Sequence, residues 1–344
     1  MRPGPLPHQL PDHFTTEEAM RLGVTRSRLR ASDLSRPFHG VRQRRNDEPQ
    51  HTDKFAAARA CELRQVAALA TRLTAGQFLS HRSAAVWWGA PLPIQAKPTL
   101  HASTIRPQRS PRIAQVTGHS FVSWRVKVVT HQGSAVSSPA FTFASMGTLD
   151  LPRLVALGDF FVRTHRQGVG RPSNPGPPLC SRADLYEALE IGGWHNSTRL
   201  SRALELVRED SWSPRESMTR VMLVQGGIPE PDLNTDVRDS QGNFLGCLDM
   251  VFAQYKVALE YQGEVHALTF ANDIERIERL RAEGWVILQV TKALDHQPEL
   301  LLSRVAQALQ SRGWPSRSHT RRSRAKLPLA PGSRGHPAED TSPN

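Results

Sequence analysis

A chain of 344 residues is longer than one hydrophobic core ordinarily serves, so two or three domains are expected. The chain carries 44 Lys and Arg against 32 Asp and Glu, a formal net charge of +12, and has neither an apolar run long enough to span a bilayer nor a charged-then-apolar leader. A cytoplasmic protein with no membrane partner is the expectation. Its three cysteines, Cys61, Cys180 and Cys247, are scattered and odd in number, which argues against a disulfide framework or a CxxC-type zinc site.

The charge is uneven. Residues 1–180 hold 24 basic against 10 acidic side chains, 181–311 hold 13 against 20, and 312–344 hold 7 against 2. A basic front half and tail thus flank an acidic C-terminal domain. Basic excess favours phosphate by steering and counterion release, so double-stranded DNA is the expected partner, gripped mostly outside the acidic domain.

After a Pro-rich start, residues 14–23 predict a short helix in which Thr15 with Glu18 forms a capping box and Gly23 is the stop. Residues 24–31 open a second helix capped by Thr25, with Leu22, Val24 and Leu29 inward and Arg26, Arg28 and Arg30 outward. Residues 37–42 form an extended wing that carries Arg42. Helix, turn, basic helix and wing is the layout of a winged helix-turn-helix, so Arg26, Arg28, Arg30 and Arg42 are candidate DNA contacts.

An Ala-rich stretch over 53–73 predicts a strong helix, and 80–89 a shorter one. Ser80 beside His81 suggests a nucleophile pair. Adjacent helical residues point about 100° apart and no acid is near, so packing with Ser80 as a cap is preferred. Weak alternation over 97–146 predicts a few strands, and 149–166 a helix. The N-terminal region resembles the AbiEi family of type IV antitoxins, and a Ser-Ala-Ala-x-x-x-Gly stretch at 83–89 resembles part of that family's second domain. That resemblance implies a transcriptional regulator with a cognate toxin, or self-association.

Residues 168–180 read as a Pro/Gly linker, followed by helices over 181–209 broken at Gly192-Gly193. Glu216 lies in a helix-like segment over 214–221. Apolar runs at 244–248, ending on Asp249, and at 257–263 predict two short strands joined as an antiparallel hairpin. Glu260 and Gln262 then share one face, where Asp249 can meet them. Two carboxylates and an amide oxygen suit Mg²⁺ or Mn²⁺. The residues alone equally allow Glu260 an ion pair with Arg276, Lys256 or Lys292. Residues 270–281 predict an amphipathic helix on which Asp273 and Arg276 can meet, and 285–291 a core strand.

The ordered pattern Glu216, Leu248-Asp249, 259–263 with His266, Asp273, Arg276 and 284–287 resembles bacterial relatives of the very-short-patch-repair endonuclease, in the PD-(D/E)xK nuclease superfamily. The resemblance covers roughly the last third of the chain. It implies metal binding by Asp249 and Glu260 with Glu216 as a further acid, Gln262 in the place of the motif lysine, His266 near the metal-bound water, and Arg276 near the phosphate. The departure at Gln262 removes a positive charge from the site.

The expected fold is therefore multidomain α+β: a winged helix-turn-helix over 1–50, an α/β antitoxin-like domain over 51–167, the linker, a restriction-endonuclease-like α/β domain with a mixed central sheet over 181–314, and a basic tail over 315–344. The expected function is Mg²⁺-dependent DNA endonuclease, in defence against foreign DNA or in repair. The competing expectation is a non-enzymatic antitoxin-type regulator with an inactive nuclease fold.

Overall fold

A computed structural model describes residues 4–45, 53–168, 171, 176–261 and 270–315, the side chains of 270–273 excepted. Gln262, His266, the Asp273 side chain and the tail beyond 315 lie outside the described residues. Eleven α-helices and three sheets, two of them mixed, make this an α/β architecture among the described residues.

The N-terminal unit comprises β1 (His13–Thr15), α1 (Thr16–Arg21), β2 (Leu34–Ser35) and β3 (Val41–Arg44), with antiparallel sheet order β1-β3-β2. Thr15 caps α1 as expected, accepting from the Glu18 N–H at 3.0 Å. The second helix is not formed. Only one 3-10 turn, Arg28–Arg30, stands in its place. The reason lies in the apolar spacing: Val24, Leu29 and Leu34 are all buried, and intervals of five residues cannot stack on one face of a 3.6-residue helix.

The second unit contains α2 (Lys54–Arg72), β4 (Gln77–Leu79), α3 (His81–Trp87), β5 (Leu100–Ile105), β6 (Val116–Phe121), β7 (Val128–His131) and β8 (Ser134–Ser137). Its sheet runs β6-β5-β4-β8-β7, with β6 parallel to β5 at one edge. Phe38 and Val41 of the first unit share a core with Val66, Leu69, Leu79 and Val136. A buried Arg82–Glu62 pair at 2.6 Å ties α3 to α2.

Four helices follow: α4 (Pro139–Ser145), α5 (Leu151–Val162), α6 (Arg182–Glu190) and α7 (Ser197–Leu206). One core takes Phe143 and Phe161 from before the Pro/Gly segment and Leu185, Leu200 and Val221 from after it. The fully buried Arg220 guanidinium reaches across this junction to Asp159 at 3.0 Å and to Glu230 at 2.7 Å. Burial nonetheless raises the Asp159 carboxyl to about 6 against the opposing pull of Arg220. Removing Arg220 alone strands a buried acid, a loss of ~3–5 kcal/mol.

The C-terminal unit begins with α8 (Pro214–Gln225) and continues through β9 (Asp232–Arg238), β10 (Phe244–Phe252), β11 (Val257–Tyr261), α9 (Phe270–Ala282), β12 (Val286–Val290), α10 (Lys292–Asp295) and α11 (Pro298–Gln310). The sheet order is β12-β11-β10-β9. The β10–β11 hairpin is antiparallel as expected, and β11–α9–β12 is a parallel crossover. Residues of α8 and α11 (Leu223, Leu301, Val305) pack with Met250 and Leu259, while Leu280 of α9 packs with Val251 and Ala258 on the other side.

Candidate active site and a cationic cleft

The hairpin register sets Met250 against Leu259 and Val251 against Ala258, so the next pair along the ladder is Asp249 with Glu260. Alternation puts Asp249 on the side of Val251 and Glu260 on the side of Ala258, which is the face covered by α9. The Tyr261 backbone N–H donates to Asp249 Oδ2 at 2.7 Å, fixing one carboxylate oxygen. The expected meeting of these two acids is thus present.

Glu216 reaches the same region from α8. Ser213 caps that helix by accepting from the Glu216 N–H at 3.2 Å, with Pro214 at its first position. Glu216 is buried, and its Oε2 accepts from the Trp212 N–H at 3.0 Å and from Asn234 Nδ2 at 2.7 Å. Both other acids act on Asp249, which is raised to about 7, first by burial, then by the charge of Glu260, with Glu216 adding in the same direction. The Tyr261 N–H and the Arg276 charge oppose the rise. Neighbouring, partly buried carboxylates with all-oxygen donors are a fit for a hard dication such as Mg²⁺, which offsets their repulsion. Two acids form the close pair. Asp249, Glu260 and Glu216 do not all bring donor atoms within 4.8 Å of one another; among the described residues the set that does is a histidine group in another sheet.

Arg276 crosses from α9 to pair with Glu260, Nη1 to Oε1 at 2.8 Å, one of the ion pairs the residues alone allow; the Asp273 side chain, also expected to meet Arg276, lies outside the described residues. Gly246 on β10 makes the crossing possible, since a Cβ there would stand 3.2 Å from Arg276 Cδ. Of the other cations considered for Glu260, Lys256 donates to the Glu283 carbonyl at 2.9 Å and Lys292 lies over the Phe55 ring. Tyr261, which the sequence did not mark, holds β11 to α8 by a hydroxyl contact with Thr219 and lies 3.4 Å from Asp295.

The N-terminal arginines divide. Arg26 and Arg30 are exposed. Arg28, expected to face DNA, is instead directed inward: it pairs with both Asp33 oxygens, at 2.9 and 2.6 Å, and donates to the Gly4 carbonyl. With the second helix reduced to a single turn, this guanidinium closes the loop rather than projecting from it. Arg42 lines a cleft of about 470 Å³ between the first two units, together with Arg36, Arg72 and Arg112. No acid is among the described residues lining it. Burial and then the charge of Arg36 depress the Arg42 guanidinium, as expected where cations crowd without an anion. Arg36, Arg72 and Arg112 were not anticipated, because they lie 76 residues apart end to end and only the fold brings them together.

Compared with known proteins, the chain matches no family model and no curated protein sequence. No helix among the described residues is long and apolar enough to cross a membrane.

Proposed function

We propose that the chain is a DNA-binding protein whose C-terminal sheet carries a Mg²⁺-dependent endonuclease site, as its resemblance to the very-short-patch-repair relatives implies. The observation that carries this reading is the Asp249–Glu260 pair. Two carboxylates on adjacent strands, both partly buried and only Glu260 paired with a cation, are costly for a fold that uses them only as structure. Asp249 and Glu260 hold the ion, and Glu216 adds negative potential from α8. The bound ion supplies Lewis acidity and lowers the pKa of a coordinated water. Tyr261 orients Asp249 through its N–H, and Arg276 is placed to exchange Glu260 for a substrate phosphate. Gln262 and His266 keep the roles that the resemblance implies, water orientation and proton transfer.

The Arg36, Arg42, Arg72 and Arg112 cleft supplies a phosphate grip in place of the absent recognition helix. Replacing Arg72 and Arg112 with Ala lowers duplex affinity and reduces the salt slope by ~1 per lost phosphate contact. A slope equal to that of the unmodified protein excludes the cleft as the contact.

One observation favours a second reading, the antitoxin-type regulator without catalysis: Glu260 is already neutralised by Arg276. The two readings separate in one experiment. Mg²⁺ or Mn²⁺ is titrated into the full chain and into Asp249→Ala/Glu260→Ala, alongside plasmid nicking. Binding and nicking that disappear together in the variant support the endonuclease, whereas absence of both in the unmodified chain leaves the regulator.

A further inference from the structure

The second sheet holds a separate group of ligating side chains. His101 lies on β5 and His119 on β6, and because Ser103 is opposite His119 in the parallel register, His101 is its diagonal neighbour. His81 opens α3 above them. One donor nitrogen from each of the three lies within 4.8 Å of the other two. His101 Nδ1 and His119 Nε2 are 3.0 Å apart, in a hydrogen bond that two neutral imidazoles can make. We propose that His81, His101 and His119 form a binding site for a transition-metal dication of the Zn²⁺ class, its remaining position open to water.

Three features besides proximity support the assignment. First, the donor set is entirely imidazole, which suits Zn²⁺, Co²⁺, Ni²⁺ or Cu²⁺ and not Mg²⁺. Tetrahedral bonds of about 2.0–2.1 Å separate ligand nitrogens by roughly 3.4 Å, close to the existing His101–His119 spacing. Second, a hydrogen-bonded chain sits behind the ligands: the Ser103 hydroxyl donates to Ser80 Oγ at 2.6 Å, and Ser80 Oγ meets His81 Nδ1 at 3.1 Å. Ser80, expected as a helix cap, makes no capping bond. That contact occupies Nδ1 and leaves Nε2 as the nitrogen of His81 free to ligate. Third, His81 has φ +49°, an uncommon conformation for a side chain of this size, and it is what turns the residue back over the sheet. Burial also keeps the rings neutral, the form that ligates. The adjacent Arg82 is paired with Glu62, although its charge still reaches His101.

Without an ion the three rings lie within 17–24° of parallel, with His81 and His119 centroids 4.0 Å apart. Lone pairs lie in the ring planes, so binding requires the His81 ring to turn out of the stack. The ion then fastens β6, an edge strand, to α3. This inference is independent of the carboxylate site.

The test uses the full chain without a polyhistidine tag, stripped with EDTA and held in excess Mg²⁺ to occupy oxygen sites. Co²⁺ is titrated while the visible spectrum is read, then displaced with Zn²⁺, and X-ray absorption counts the nitrogen neighbours. The expected result is one equivalent of nitrogen-ligated, low-coordinate Co²⁺ that Zn²⁺ displaces and that His101→Ala/His119→Ala loses. His81→Gln is a second variant, which retains a polar side chain on the Ser80 chain; it is expected to weaken Co²⁺ binding with an unchanged far-ultraviolet spectrum. An unmodified chain that takes up no nitrogen-ligated Co²⁺ overturns the proposal, as does an equivalent that survives in His81→Gln at full affinity; the rings are then a packing stack.

Discussion

The carboxylates of β10 and β11 and the histidines of α3, β5 and β6 both sit where two strands lie side by side under a helix, and burial acts on both. It moves them in opposite directions on the pH scale for one reason: desolvation disfavours the charged form. Asp249 rises to about 7, while His81 falls to about 3 and His101 to about 4. The consequence for ligand binding differs. A buried acid must become an anion to bind a dication, so its site is under tension until the ion arrives. A buried imidazole is already in its ligating protonation state, so its site carries no charge conflict and needs only the turn of the His81 ring out of the stack. The first arrangement fits a site that exchanges ions with substrate, and the second a site that keeps its ion.

The largest expected effect follows from replacing Asp249 with Asn. Lewis-acid stabilisation by a metal amounts to several kcal/mol and each ~1.4 kcal/mol is tenfold, so nicking falls by ~10³-fold. The same change removes one of two repelling anions while leaving an amide oxygen to accept from the Tyr261 N–H. Metal-free stability therefore rises, by ~1 kcal/mol. His119→Ala does the reverse in metal-free protein, because it deletes stacking and the His101 hydrogen bond. Denaturant midpoints with EDTA present measure both. An Asp249→Asn variant less stable than the parent would mean that the acid is structural and the contrast false.

A smaller effect appears in the pH dependence of metal-free stability. The folded Asp249 carboxyl is raised to about 7 against an unfolded value near 4, so its contribution is complete below the unfolded value and is lost as pH rises through about 7. The folded histidines are depressed, so their contribution is present above the unfolded value of about 6.5 and is lost as pH falls towards 4 and then 3. Chemical denaturation between pH 4 and 8 should show both limbs. Asp249→Asn flattens the decline towards pH 7, and His81→Gln reduces the loss on the acid side. A limb that persists in its own variant belongs to another group, with Asp159, raised to about 6, the first to examine.

The two sites were unequally legible in the sequence. Asp249 and Glu260 stood out because each is a charge within an apolar strand, and period-two alternation with a short connection is enough to bring them together. The helices α2, α5, α6, α7 and α9 followed from apolar periodicity and from breaks such as Gly192-Gly193. Missed were β4, β9, α4 and α11. The three residues of β4 are too few to show a period, and β9 offers only Leu233 and Val237 as apolar side chains in a run that Asn234 and Asp236 make turn-like. In α4 the buried Thr142 bonds to Ser137, so a fully enclosed helix does not read as amphipathic. The histidine group was invisible for another reason. His81, His101 and His119 are spread over 39 positions, and only the parallel register of β5 with β6 and the left-handed turn at His81 assemble them. The second N-terminal helix does not form because the five-residue apolar interval outweighs the helical signal of the arginines and the capping threonine.

The smallest effect, and the sharpest on the acidic side of the contrast, belongs to Glu216. Its Oε2 serves the Trp212 N–H and Asn234 Nδ2, tasks that a glutamine carbonyl oxygen can take over, so Glu216→Gln removes charge and leaves the local hydrogen bonds in place. Glu216 adds to the upward shift of Asp249 by charge alone. With that charge gone, Asp249 ionises at lower pH, and the rise of Mg²⁺-supported nicking with pH moves to lower pH as well. Nicking at the plateau falls by ~10-fold, the size expected for an outer group that supports metal ligands without contacting the ion. A plateau loss as deep as that of Asp249→Asn would make Glu216 a direct ligand. An unmoved pH profile with unchanged stability would instead make it only the support of the 212–216 turn, and the tension at Asp249 would then rest on burial and Glu260.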